Sequence, residues 1–202
     1  MTENATLDHR YFVLNKPYNM VSQFVSSHKV RLLGSLEFDF PPDTHAVGRL
    51  DHHSEGLLLL TTDKRVTRLL FSSKKPHSRT YWVQVSGKVE DENLEKMRSG
   101  LSIFGRGAVF YTTKNCEAKI IQTPENLFSE SKKLHPNVVF TWLSITLTEG
   151  KYHQVRKMVA AVGHRCIRLI RVSIEEIMLE DLEPGKVREL SAKEFFEQLD
   201  IG

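Results

Sequence analysis

Hydrophobic positions along the chain follow two periods. Residues 11–15 (YFVLN) and 56–62 (GLLLLTT) are near-continuous apolar runs that predict buried strands, and 21–25 (VSQFV) alternates apolar and polar side chains as a half-buried strand does. In 80–87 (TYWVQVSG), Tyr81, Val83 and Val85 fall on one face and Trp82, Gln84 and Ser86 on the other. Segments 107–122, 138–148 and 165–174 complete the predicted strands. Helical spacing appears after Asp63, a good N-cap, where Val66, Leu69 and Leu70 stand at i, i+3, i+4. It returns in 91–100 (DENLEKMRSG), stopped by Gly100, and in 191–199 (SAKEFFEQL). The clearest helix is 151–164 (KYHQVRKMVAAVGH), with Val155, Met158, Val159 and Val162 as its apolar stripe and Gly163 as its stop. Residues 15–19 and 40–43 punctuate as turns or loops, 72–78 (SSKKPHS) is a basic loop, and 123–137 (TPENLFSESKKLHPN) reads as a long polar loop. Residues 1–10 are polar and expected to be frayed. Strands outnumber helices and short turns join them. The pattern predicts an α+β fold, a mixed but mainly antiparallel sheet with flanking helices, in one domain over residues 11–200.

Composition narrows the class. The chain has 202 residues, 40% hydrophobic and 26% charged, enough for one sizeable globular domain. No apolar run approaches the roughly 18 residues of a membrane span, and 11–14 is too short for a signal-peptide core, so no membrane association and a cytoplasmic setting are expected. Cys116 and Cys166 match no metal or redox spacing and read as reduced thiols. The net charge of +3 is unevenly spread. Lys64, Arg65, Arg68, Lys74, Lys75 and Arg79 form one acid-free block, and Lys151, Arg156, Lys157, Arg165, Arg168 and Arg171 form another, while residues 175–200 carry nine acids against three bases. Two such blocks suggest a polyanion-binding face; solvated helix and loop surfaces are the alternative.

The chemistry concentrates in 47–63, VGRLDHHSEGLLLLTTD. His52 and His53 are adjacent and chelate poorly together, and neither HExxH nor a Cys/His cluster occurs, so no metal is expected. Asp51, His52 and Ser54 are too contiguous for a triad, and FGRGA at 104–108 lacks the rest of a phosphate loop. Asp51 and Glu55 could be the paired carboxylates of a glycosidase, but Glu55 reads as a solvated loop acid. Asp51 lies just before a buried strand, where a carboxylate needs a cation partner to stay ionised. His153, Arg156 and Lys157 share the polar face of the 151–164 helix and could supply it; equally they are a helix surface, and spacing alone does not choose.

Taken together, GRLDHHSEGLLLLTTD, FVLNKPYNMVSQF, RTYWVQVSG, LTEGKYHQVRKMVAAVGHRCIRLIR and PGKVREL resemble, in order, the catalytic segment, opening strand and turn, tyrosine strand, basic helix and closing strand of the pseudouridine synthases that modify bacterial ribosomal RNA. The resemblance covers residues 11–190. Departures are few: Ser54 stands where Thr is usual, Asn19 where many members have Gly, and SIEEI lacks a common glycine. Many members also carry an N-terminal S4 RNA-binding domain; with the opening strand starting at Tyr11, none is expected here.

The resemblance implies the pseudouridine synthase catalytic fold with a central RNA-binding cleft, and isomerisation of a specific uridine in ribosomal RNA, with the large subunit as the expected target. It implies a monomer that uses no cofactor. Asp51 would be the catalytic aspartate, Arg156 its cation partner, and Tyr81 the ring that stacks on the uracil. Arg49 would fill the place of the flipped nucleotide. RNA contacts are expected at Lys16, His52, Lys74, Lys75, Arg79, Lys151, His153, Gln154, Lys157 and Arg171 as well. The alternatives are a non-catalytic RNA-binding assembly factor on the same fold, or a synthase acting on small-subunit rRNA or tRNA.

Overall fold

The computed structural model describes residues 8–72, 75–105, 109–125 and 139–202. Its strands are β1 (Tyr11–Lys16), β2 (His45–Ala46), β3 (Glu55–Thr61), β4 (Arg79–Ser86), β5 (Ser102–Phe104), β6 (Phe110–Thr112), β7 (Glu117–Ile121), β8 (Phe140–Leu147), β9 (Cys166–Ile174), β10 (Ile177–Met178) and β11 (Val187–Leu190). The helices are α1 (Arg65–Phe71), α2 (Asp91–Ser99), α3 (Gln154–Ala161) and α4 (Ala192–Leu199). The main sheet runs β11-β1-β3-β9-β4-β8-β7, with β2 added to β3 and β10 to β9, while β5 and β6 form a separate hairpin. Its paired strands are antiparallel except β3 and β9, which run parallel. No helix among the described residues is long and apolar enough to cross a membrane.

The leucine run explains why β3 is central. Side chains alternate along a strand, so Leu57 and Leu59 enter a core shared with α1, α4 and β9, and Leu58 and Leu60 enter a second core beneath Met20, Leu33 and Leu50. All four are fully buried. A third core packs β4, β7 and β8 against α2 and the stripe Val155, Met158, Val159 and Val162. Where β3 meets β9, Gly56 sits at φ +96°, and a Cβ there would lie 2.3 Å from the Arg171 carbonyl oxygen. Only glycine permits both the conformation and the approach.

Several expectations need correcting. Residues 21–25 do not form a strand: Met20 is buried, Val25 is 79% exposed, and the Ser22 hydroxyl both donates to the Leu50 carbonyl and accepts from the Leu50 N–H, each at 3.0 Å. The segment 107–122 contains β6 and β7 rather than one strand. Residues 1–7 lie outside the described residues, but Arg10 is anchored, its N–H on Thr62 and its guanidinium on Glu189. Most of the 123–137 loop also lies outside them. The Asp63 cap is present, its carboxylate accepting the Arg65 N–H at 3.0 Å.

Candidate active site

A turn places Asp51. The Ser54 N–H donates to the Asp51 carbonyl at 3.0 Å, closing a reverse turn immediately before β3. Rigid β3 therefore fixes the turn from its C-terminal side. Asp51 lines a cleft of about 640 Å³ together with Arg49, His52, Tyr81, Arg79, His153 and Arg171. Strand register brings three of the walls into line: Tyr81 of β4 lies opposite Arg171 of β9, and Arg171 lies opposite Gly56 of β3.

The expected pairing of Asp51 with Arg156 is absent. The Asp51 carboxylate instead faces His153 Nε2 at 3.5 Å. Arg156 donates to the His53 carbonyl at 2.7 Å and the Ser54 hydroxyl at 3.2 Å, so it grips the Asp51 turn from behind. His153 reaches the acid because it precedes α3 with a left-handed backbone (φ 53°), which turns it away from the helix face it was assigned by spacing.

The floor of the cleft is cationic and buried. Arg79 and Arg171 are 8% and 5% exposed. Arg79 donates to the His77 carbonyl and lies over the Phe71 ring; its guanidinium pKa is lowered, by burial first, with repulsion from Arg171 adding to this. Arg171 donates Nε to the Leu57 carbonyl at 2.8 Å, and its Nη2 has no hydrogen-bond partner among the described residues. Two buried like charges side by side create a positive potential in a poorly solvated space.

Other expected contacts are used up by the fold. Lys16 is fully buried and donates to the Pro17 and Met20 carbonyls at 2.9 and 2.7 Å, so it closes its own turn rather than meeting RNA; burial pushes its ammonium down to about 7. Gln154 lines the cleft, but its amide is spent on Glu149 Oε1 and the Lys151 N–H. Lys75 pairs with Asp200. Lys74 lies outside the described residues. Glu55 is not a solvated loop acid: the parallel β3–β9 pairing sets it against Arg168, which binds both its oxygens at 2.8 Å. Arg168 is thereby removed from the second basic block as an RNA contact. Lys151 is exposed at the cleft, and Lys157 lies beside it over the Tyr152 ring.

Sequence reasoning missed Phe71, which lines the cleft, and Glu149, which accepts from the Lys114 N–H, Gln154 and the Tyr111 hydroxyl. The pattern offered one signal for Glu149, its place immediately before the Gly150 turn that enters α3.

The profile of the RNA pseudouridylate synthase family matches residues 10–161. The chain belongs to this family. It is a pseudouridine synthase similar, at 36% identity over 174 residues, to the ribosomal large subunit pseudouridine synthase E of Xanthomonas axonopodis pv. citri (strain 306), covering 85% of this chain and 89% of that protein. It is similar at 32% identity over 186 residues to the ribosomal small subunit pseudouridine synthase A of Escherichia coli (strain K12), covering 92% and 72%. Among solved structures, a pseudouridylate synthase crystal structure superposes with a TM-score of 0.76 at 29% identity, covering 95% of this chain and 74% of that one. The mixed, mainly antiparallel sheet with its flanking helices is the pseudouridine synthase fold.

Proposed function

We propose that this synthase converts one uridine of large-subunit ribosomal RNA to pseudouridine, with Asp51 as the catalytic carboxylate. The observation that carries the reading is the cleft itself, where Asp51 on its turn and Tyr81 of β4 share a space floored by the buried cations Arg79 and Arg171. The reaction needs those parts. Asp51 attacks C1′ as the N1–C1′ bond breaks, or removes the proton at C2′; in both cases the electron pair leaves with uracil N1. The detached base is anionic, and cations preorganised in a dry site stabilise such charge without reorganisation. The base then turns, and C5 bonds to C1′ as the carboxylate leaves C1′ or, on the other route, returns its proton to C2′; the C5 proton then passes to the freed carboxylate or to solvent.

Tyr81 stacks on the uracil and limits its motion to rotation. Arg156 is a positioning residue that acts through the His53 carbonyl and Ser54 hydroxyl. Arg49, exposed two residues before Asp51, fills the gap in the RNA stack when the nucleotide flips out. His52, Lys151 and His153 hold the strand at the cleft rim. The large subunit is preferred because the relative acting there has the higher identity of the two compared, 36% against 32%.

Pseudouridines are to be mapped in large-subunit rRNA, small-subunit rRNA and tRNA from cells with and without the gene. The expected result is one large-subunit site lost and then restored by the wild-type gene but not by Asp51→Asn. A site lost from small-subunit rRNA or tRNA would reassign the substrate, and no lost site would favour a non-catalytic assembly factor.

A further inference from the structure

The β5–β6 hairpin carries aromatic surface that the fold does not use. Ile103 turns inward at 4% exposure, while its neighbour Phe104 and the cross-strand partner Phe110 stand outward at 54% and 63%. Their ring centroids are 4.1 Å apart, an open aromatic ledge. Phe104 lines a cavity of about 420 Å³, and so does Tyr152, 55% exposed, its ring stacked on His153 at 3.9 Å and with Lys157 Nζ 5.1 Å from its centroid. Lys151 Nζ stands 5.1 Å from the Tyr111 ring on the same cavity, whose described lining includes no acid. Gly150, Lys151 and Tyr152 line both this cavity and the Asp51 cleft, so the two spaces adjoin.

We infer that the Phe104–Phe110 ledge and Tyr152 form a stacking subsite for an unpaired RNA base flanking the target uridine, with Lys151 and Lys157 on its phosphates. Flat apolar rings select a planar occupant, and two lysines on the lining, with the nearby Glu149 turned to the Tyr111 hydroxyl, the Lys114 N–H and Gln154, select an anionic one. An unpaired nucleotide is both, and aromatic ledges beside basic side chains are how single strands are held without sequence preference. The position next to the target rests on the functional reading of the cleft; the affinity for single-stranded RNA does not.

The test is binding of the full chain to a fluorescein-labelled RNA of about ten nucleotides without self-complementarity, within the usual site size of such surfaces. The strand is used alone and annealed to its complement. Phe104→Ala/Phe110→Ala and Phe104→Leu/Phe110→Leu should each weaken single-strand binding about 10-fold or more, since a stacked base is lost in both. Duplex binding and the salt dependence should not move. Lys151→Gln/Lys157→Gln should lower the slope of log affinity against log salt by about 1.4, two contacts at about 0.7 each. Unchanged single-strand affinity in both phenylalanine variants would overturn the subsite, as it would if a protein occupied the ledge. So would wild-type affinity in the leucine variant, which keeps the apolar area without the ring, or equal losses for strand and duplex. An unchanged salt slope in the lysine variant would remove the lysines from it. If the phenylalanines govern binding while the wild type forms no pseudouridine, the subsite stands and the functional reading falls. Pseudouridine formation with phenylalanine-independent binding removes the subsite alone.

Discussion

Asp51 and Glu55 are the same functional group four residues apart, and they meet opposite surroundings. Glu55 is 5% exposed, and both its oxygens are bound by Arg168. Asp51 is 31% exposed, and its ion-pair contact is a histidine at 3.5 Å. Arginine keeps its charge at every accessible pH and its planar fork matches a carboxylate at two points, so Glu55 is neutralised for good. Histidine is a weaker and reversible partner, which leaves the Asp51 oxygens open to a ligand. One acid joins β3 to β9; the other stands at the end of that joint and faces the cleft. Proximity in sequence says nothing about which is which, because the deciding partners lie more than a hundred residues away.

The contrast can be broken first at Asp51. Asp51→Asn should reduce pseudouridine formation on the order of 10⁴-fold, the scale seen when a charged member of an active site is removed, with an unchanged melting temperature and RNA affinity. Turnover close to wild type, followed by pseudouridine mapping, would move catalysis elsewhere. Glu55→Gln should do the reverse. It leaves Arg168 without its buried counter-charge, at a cost of about 3–5 kcal/mol, read as a lower thermal midpoint, while turnover per folded molecule stays within a small factor. Replacing Glu55 and Arg168 together by methionine should cost less than Glu55→Gln alone; equal or greater losses in that cycle would mean the pair does more than cancel charge.

Lys16 sharpens the comparison from the cationic side, since burial lowers its amine to about 7 against the partial support of Glu55 and Asp51. An unfolded lysine titrates near 10.4. Between about 7 and about 10.4 the unfolded chain holds a proton that the folded chain has lost, so stability rises with pH across that window and the full penalty remains below it. Lys16→Met should flatten this rise, and melting curves at several pH values would show it; an identical slope in the variant would place the amine in contact with water. The smallest effect is expected for His153→Ala. A half-exposed ion pair is worth up to about 1 kcal/mol, so single-turnover rates should fall by no more than about 5-fold. A loss a hundred times larger would make His153 a participant in proton transfer.

Much of the frame was legible because it is written locally. The leucine run, the alternation in 80–87 and the apolar stripe of 151–164 report burial through their own periods, and the structure places them as β3, β4 and α3. Residues 21–25 misled because their alternation is an accident of a loop in which Ser22 serves the Leu50 backbone. The two basic blocks misled in part for a different reason. A charged residue reads as surface in any pattern, yet Arg79 of the first block and Arg168 and Arg171 of the second are buried on paired strands, as is Lys16, outside both blocks, by its own turn. The position of Asp51 was recoverable from the strand that follows it, whereas its neighbour His153 depended on a left-handed residue before α3 that no period encodes.

The glycine at the β3–β9 seam works as a caliper. Asp51 hangs from the lead-in to one of these strands and Arg171 belongs to the other, so the distance between acid and cationic floor is set where the two backbones touch. Any side chain at residue 56 would wedge the strands apart at the Arg171 carbonyl, widening the cleft without altering a single group that lines its chemistry. The rim, by contrast, is free to vary: the side chains of His52 and His53 and of the β5–β6 hairpin can be exchanged and remodel the surface offered to an RNA while the gap at the centre stays constant. A lineage of such proteins could therefore diverge widely in what it recognises and hardly at all in what it does to the nucleotide once captured.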